Sequence, residues 1–333
     1  MKYRQLGNTD MNASIVGLGT WVMGGGSIWG KEPDDNESIR VVHASLDEGI
    51  NLVDTAPLYG FGRSEEVVGK AIKGRRDEVI LATKCGLWWH DERGSLLGPF
   101  DGEKVFKSLR PDTIEIEIED SLKRLGTDRI DLYQTHWPAV EPEKTPIEDT
   151  MACLNKLKDQ GKIRAIGVSN VSVDELKENM QHGEIVSDQF RYSMLYREPE
   201  ENILPFCAEN NVSTLTYMSL EQGLLTGKVG MDRDFGEDEW RSNEDWNPWF
   251  KKVNRPKILD MLAGWKGLTE KYSCTLAQLV VAWTAQQRGV THVLCGARRV
   301  DQTLDNAKAG GLELAESDIA KIRSDVEGLG EPQ

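Results

Sequence analysis

The sequence predicts an α/β protein, a (β/α)8 TIM barrel forming one domain over residues 1–333, preceded by an N-terminal β-hairpin and carrying extended loops on its top face. Three observations predict it. Short apolar runs alternate with helix-period segments eight times along the chain. Three consecutive runs end on polar side chains, at Asp54, Lys84 and His136, with Tyr59 in the turn after the first. Strand C-termini are where a parallel barrel keeps its chemistry.

In order, residues 3–14 read as the hairpin, with Gly7-Asn8-Thr9-Asp10 as its turn. The run from Ser14 to Thr20 is the first barrel strand. Its G-x-G precedes Trp21 and further glycines, not a helix, so it fails as a Rossmann fingerprint. Ile39, Val42 and Leu46 mark one face of a helix that stops near Gly49. The strand 51–54 leads to Asp54, a helix spans 64–73, and the strand 79–84 leads to Lys84. Residues 85–109 read as a long loop.

The alternation Ile114-Glu115-Ile116-Glu117-Ile118 imitates a strand. Pro111 at the start, Gly126 at the stop and apolar residues at 114, 118, 122 and 125 favour a helix instead. After the strand ending at His136, Thr145 to Glu148 reads as a capping box, as do Ser172 with Glu175 and Thr275 with Gln278. Further strands are expected at 163–168, 185–189, 212–217 and 292–295. Helices are expected near 202–210, 255–271 and 276–288. Residues 229–254, with Trp240, Trp246 and Trp249, show no period and read as an excursion over the barrel.

Composition narrows the function. A net charge of −15 argues against nucleic acid or an anionic membrane as partner. Five scattered cysteines with no C-x-x-C suit reduced thiols in a cytoplasmic protein, and five dispersed histidines predict no metal site. No run is apolar enough to span a bilayer, and the N-terminus lacks a signal-peptide pattern.

A carboxylate buried at a strand end needs a cation, and Lys84 is the candidate for Asp54. Tyr59 is a poor acid unless tuned, and an adjacent ammonium is expected to lower its pKa. His136 would position a substrate oxygen. Reduction of a carbonyl also needs a hydride that no side chain supplies. A glycosidase would need two facing carboxylates, and only Asp54 is well placed.

The runs D-T-A-P-L-Y-G (54–60), Lys84, T-H-W (135–137), G-V-S-N (167–170) and G-L-L-T-G-K (223–228) together resemble the aldo-keto reductase superfamily along the whole chain. The resemblance is to the bacterial branch of inositol-catabolism-like and general-stress reductases. It implies NADP(H) bound without a Rossmann fold and a tetrad of Asp54, Tyr59, Lys84 and His136, with Tyr59 as acid. It assigns Ser169, Asn170 and Gln189 to the nicotinamide carboxamide and Tyr217 to its ring, with Gly19, Thr20, Trp21 and Asp54 also near the cofactor. Ser219, Leu220, Gln222, Gly223 and Lys228 would cover the pyrophosphate, and Gly296, Arg298, Arg299, Gln302 and Asn306 the adenosine end. Two arginines at a helix start suit a 2′-phosphate.

Departures from the family pattern are Met218-Ser219-Leu220-Glu221-Gln222, where Glu221 is an odd neighbour for a pyrophosphate, and Cys295 before Gly296. The chain runs only briefly past its last helical pattern, so a C-terminal lid is expected to be nearly absent. Trp21, Trp29, Trp88, Trp89 and Trp137 stand at or after strand ends. With Tyr59 and His136 they are expected to wall a substrate pocket, and indoles suit a sugar, a polyol or a sugar-derived aldehyde. Trp265 and Trp283 are expected to be packing. The alternatives are a sugar or inositol dehydrogenase running towards oxidation, and a cofactor-sensing regulatory subunit. Monomer and homo-oligomer both remain open.

Overall fold

The computed structural model describes every residue except 27–28, 30–32, 237–238 and 244–246. Trp246 therefore lies outside the described residues. Eight parallel strands close on themselves in chain order. They are β1 (Val16–Gly19), β2 (Leu52–Asp54), β3 (Ile80–Cys85), β4 (Ile130–Thr135), β5 (Ile163–Ser169), β6 (Ser187–Arg191), β7 (Ser213–Tyr217) and β8 (His292–Gly296). Pairing of Val293 with Val16 and of Gly296 with Gly19 seals β8 to β1.

Side chains alternate across each strand, so every second residue points into the barrel. Leu52, Ala82, Leu132, Ala165 and Leu215 form the inner core with Leu6, Met11 and Ala13 of the hairpin. That hairpin, Tyr3–Gln5 with Asn12–Ser14, therefore plugs one end of the barrel with apolar atoms. Two residues further along the same inward rows lie Asp54, Lys84, Gln134, Gly167 and Tyr217 at the opposite rim. The barrel is apolar at one end and polar at the other.

The helices after the eight strands are α1 (Asp35–Asp47), α2 (Arg63–Ile72), α3 (Pro111–Leu125), α4 (Ile147–Asp159), α5 (Val173–His182), α6 (Ile203–Glu209), α7 (Leu276–Ala285) and α8 (Val300–Ala309). The strand-like stretch at 114–118 is helical, as the length and end signals required. Proline opens α3 and Gly126 closes it in the left-handed conformation, while Ile114, Ile118 and Leu125 are buried. Each such side chain contributes about 1.5–3 kcal/mol by leaving water. The capping boxes at Ser172 and Thr275 form as expected. That at Thr145 does not. Pro146 takes the cap position of α4, and no side chain bonds to the exposed amides.

Two other expectations change. The stretch 255–271 is two helices, Arg255–Gly264 and Lys266–Tyr272, meeting at the buried Trp265. Trp265 and Trp283 are both core residues. The supposed loop 85–109 is an antiparallel sheet of Leu87–Trp88, Ser95–Phe100 and Glu103–Lys107. Its tight turn is Asp101-Gly102, with φ of 47° and 88°. Both positive angles are what a two-residue hairpin needs, and Asp-Gly supplies them readily.

Candidate active site

The turn after β2 carries Tyr59 back over the rim. Gly60, at φ 67°, is necessary there, because a Cβ would sit 2.2 Å from the Gly24 carbonyl oxygen. Thr20 pins the base of this turn. It donates to the Asp54 carbonyl from both its backbone N–H (2.9 Å) and its hydroxyl (3.0 Å).

Lys84 Nζ, fully buried, makes three contacts: Asp54 Oδ1 at 2.7 Å, the Thr55 carbonyl at 2.9 Å and the Tyr59 hydroxyl at 3.2 Å. An ammonium has three protons and no lone pair, so these contacts use all of its donors. Asp54 Oδ2 accepts from Gln189 Nε2 at 2.8 Å and Gln134 Nε2 at 3.1 Å. The carboxylate is thus neutralised on one oxygen and hydrogen-bonded on the other, as a buried charge requires. The His136 ring meets Tyr59 edge-on, 5.8 Å between centroids.

Protonation states follow from burial. Desolvation and, after it, the Asp54 carboxylate push the Tyr59 phenol well above its ordinary value. The expected lowering by Lys84 is therefore overturned in the free protein. Burial and the nearby Lys84 hold the His136 imidazole well below its usual range, so it is neutral. Burial also lowers the Lys84 ammonium, with Asp54 pulling the other way.

From this tetrad a cleft of about 1110 Å³ runs past β5–β7 to the start of α8. It is lined by all the residues expected to bind cofactor except Thr20, which is buried as scaffold beneath it. Asn170, at φ 59°, donates to the His136 carbonyl at 3.1 Å and accepts from the Tyr217 hydroxyl at 2.8 Å. Gln302 and Asn306 brace the turn before α8, through the Arg298 amide at 2.7 Å and the Gly296 carbonyl at 3.4 Å.

Over the middle of the cleft lies a strap with positive φ at Met218, Glu221, Gln222 and Gly223. Such backbone costs about 1–3 kcal/mol at each non-glycine position and persists only where neighbours enforce it. Glu221 does the enforcing. It is buried and turned from the cleft, accepting from Arg191 at 2.8 Å and Ser193 at 2.5 Å. That resolves its oddity in the sequence.

The strap leaves Ser219 Oγ and both polar atoms of Gln222 buried without a partner, on residues that line the cleft. Unpaired buried donors and acceptors there fit an elongated polar group such as a dinucleotide. When bound, a nicotinamide would supply the hydride. Ser169, Asn170 and Gln189 would hold it near Tyr59, and the strap with Lys228 would hold its phosphates.

At the other end Trp21 stacks on Tyr59 with 5.8 Å between centroids, and Trp29 and Trp240 meet Trp21 edge-on. Trp21, Trp29 and Trp137 line the cleft. Trp88 and Trp89 do not. Trp88 is on the far side of its strand from Leu87, donating to Asp91 at 2.8 Å beneath the Arg93 guanidinium. Trp89 packs on Phe61 and His90. The sequence reading missed Gln134, which inward parity with Leu132 would have found. It also missed Phe100 and Lys107 of the small sheet, which line the cleft.

Residues 15–327 match the model of the Aldo/keto reductase family. The chain is 42% identical over 330 residues to the NADH-specific methylglyoxal reductase of Escherichia coli (strain K12), covering 99% of each. It is 40% identical over 333 residues to the aldo-keto reductase YhdN of Bacillus subtilis (strain 168), covering 98% of this chain and 94% of that one. Among solved structures, the glycerol dehydrogenase AKR11B4 from Gluconobacter oxydans superposes with a TM-score of 0.87 at 37% identity, covering 100% of this chain and 97% of that one. No described helix is long and apolar enough to cross a membrane, and the described residues hold no metal-binding cluster.

Proposed function

The chain belongs to the aldo/keto reductase family, and we propose that it reduces small aldehydes or ketones with a nicotinamide dinucleotide, Tyr59 donating the proton. One observation carries this reading: Lys84, Asp54, Tyr59 and His136 meet where an aromatic pocket opens onto the long cleft. A bound nicotinamide would supply the hydride. The chain's own part is to hold the carbonyl and protonate its oxygen.

Lys84 spends one proton on the phenol oxygen, so the phenol's own proton is free to point at a substrate oxygen. Burial keeps that proton on Tyr59 until charge develops on the substrate. A neutral His136 can share a hydrogen bond with the same oxygen without competing as a charged acid. Trp21, Trp29 and Trp137 exclude water and favour a compact, partly apolar substrate. Methylglyoxal, the substrate in the Escherichia coli relative's name, and small sugar-derived aldehydes are the first candidates.

The sequence pointed to NADP(H) through Arg298 and Arg299. Both are already engaged by protein groups, and the relative just named is NADH-specific. The phosphorylated and unphosphorylated cofactors therefore stand as competing forms, and the test must use both. The same four groups serve the reverse reaction, with Tyr59 as base, and the similarity to a glycerol dehydrogenase favours assaying alcohols too. The experiment follows absorbance of NADH and NADPH with methylglyoxal, glyceraldehyde and simple ketones. Substrate-dependent oxidation of either cofactor is expected. Its absence across the panel, with glycerol and polyols equally inert in the reverse direction, would contradict the reading.

A further inference from the structure

The adenosine end of the cleft is built around the first turn of α8. Its leading amide, Val300 N–H, already donates to Glu37 Oε1 of α1 at 3.1 Å. Arg40 holds Glu37 from the other side, at 3.0 Å from Nε to Oε2. These two donors keep the Glu37 carboxyl below its usual range and so ionised. A second carboxylate, Asp301, lies in the same helical turn and lines the cleft.

The arginines are committed as well. Arg299 grips Asp301 through two parallel bonds, at 2.8 and 2.9 Å. Arg298 is half-buried, donates to the Trp29 carbonyl and lies over that residue's indole, 5.7 Å from its centroid. A helix start attracts anions when its amides are free and cations stand nearby. Here the leading amide and the Arg299 guanidinium are answered by carboxylates of the protein itself, and Arg298 by the Trp29 carbonyl and indole.

We infer that Glu37 and Asp301 select against a phosphate on the 2′-oxygen of the cofactor's adenosine, so that the protein takes NAD(H) in preference to NADP(H). The inference rests on the reductase reading and adds to it the choice of cofactor and the residues that make it. A 2′-phosphate carries nearly two negative charges. To bind Arg299 it must displace Asp301, and it then faces Asp301 and Glu37 as like charges. A 2′-hydroxyl can instead donate to a carboxylate, which is how an acid near the ribose favours the unphosphorylated form. Unit like charges near a protein surface change affinity by roughly tenfold even at about 10 Å, and by more at closer range.

The test is equilibrium binding without substrate. Quenching of tryptophan fluorescence gives dissociation constants for NADH and NADPH with the native protein and with Glu37→Gln and Asp301→Asn. Native protein should bind NADH about tenfold more tightly or better. Each variant should shrink that ratio several-fold, by strengthening NADPH and weakening NADH. Tighter binding of NADPH by native protein, or a ratio unmoved in both variants, would overturn the inference while leaving the reductase reading intact. Failure of both nucleotides to bind would overturn the reductase reading and this inference together.

Discussion

Lys84 Nζ lies 3.2 Å from the Tyr59 hydroxyl oxygen, and the phenol can only be the acceptor of that contact. The relationship fixes which way the phenol proton is free to go. It also makes Lys84 a group with two duties, balancing Asp54 and orienting Tyr59.

Removing Lys84 should expose both duties. Lys84→Met leaves Asp54 buried with two amide donors but no cation. Chemical denaturation should then show a loss of roughly 3–5 kcal/mol. The double variant Asp54→Asn/Lys84→Met should recover much of that stability, because no buried charge is left unpaired. Turnover should stay down about a hundredfold in both. A double variant that regained turnover along with stability would show that the pair serves only to hold the fold.

The protonation states of His136 and Tyr59 predict that neither shapes the pH–rate profile near neutrality. His136 is neutral from well below the usual histidine range upwards, and the Tyr59 phenol keeps its proton to well above the ordinary tyrosine value. The reductive kcat should therefore show no inflection from His136 or Tyr59 between roughly pH 6 and 9. A limb near the ordinary histidine pKa would mean that His136 changes charge in the working enzyme.

A different buried acid contributes to the pH dependence of stability. Glu117 on α3 takes the Gly86 amide between its two oxygens, at 2.9 and 3.1 Å, and burial pushes its carboxyl up to about 8. An unfolded chain releases this proton from about pH 4.5 upwards, while the folded chain holds it until about 8. The contribution of Glu117 to native stability therefore falls as pH rises through that window, by a few kcal/mol, and no further above it. Glu117→Gln should flatten the decline, gaining melting temperature at pH 8 relative to native protein more than at pH 5. Parallel curves for the two proteins would contradict the assignment.

The barrel and the meeting of Asp54, Tyr59, Lys84 and His136 at one rim were legible because strand ends and strand parity act locally. Asp54, Lys84 and His136 each close an apolar run, and Tyr59 sits in a turn whose Pro57 and Gly60 announce it. What the sequence hid depends on partners far along the chain. Glu221 looks misplaced until Arg191 and Ser193 are seen to hold it. Arg298 and Arg299 read as free cations in the sequence, and only the fold shows Trp29 and Asp301 holding them. Trp88 looked like pocket wall because its residue type was weighed and its parity was not. Leu87 faces the cleft, so its neighbour turns away. The Asp101-Gly102 hairpin was a local signal passed over, since the surrounding stretch was read as loop.

The central claim is that Tyr59 supplies the proton, and Tyr59→Phe tests it most directly. The substitution keeps the ring against Trp21 and removes only the hydroxyl. Steady-state kcat with the best carbonyl substrate should fall by about a thousandfold, with the dissociation constant for the reduced cofactor, measured by tryptophan fluorescence, within about twofold of native. A variant that bound cofactor normally and kept the native kcat would contradict the account.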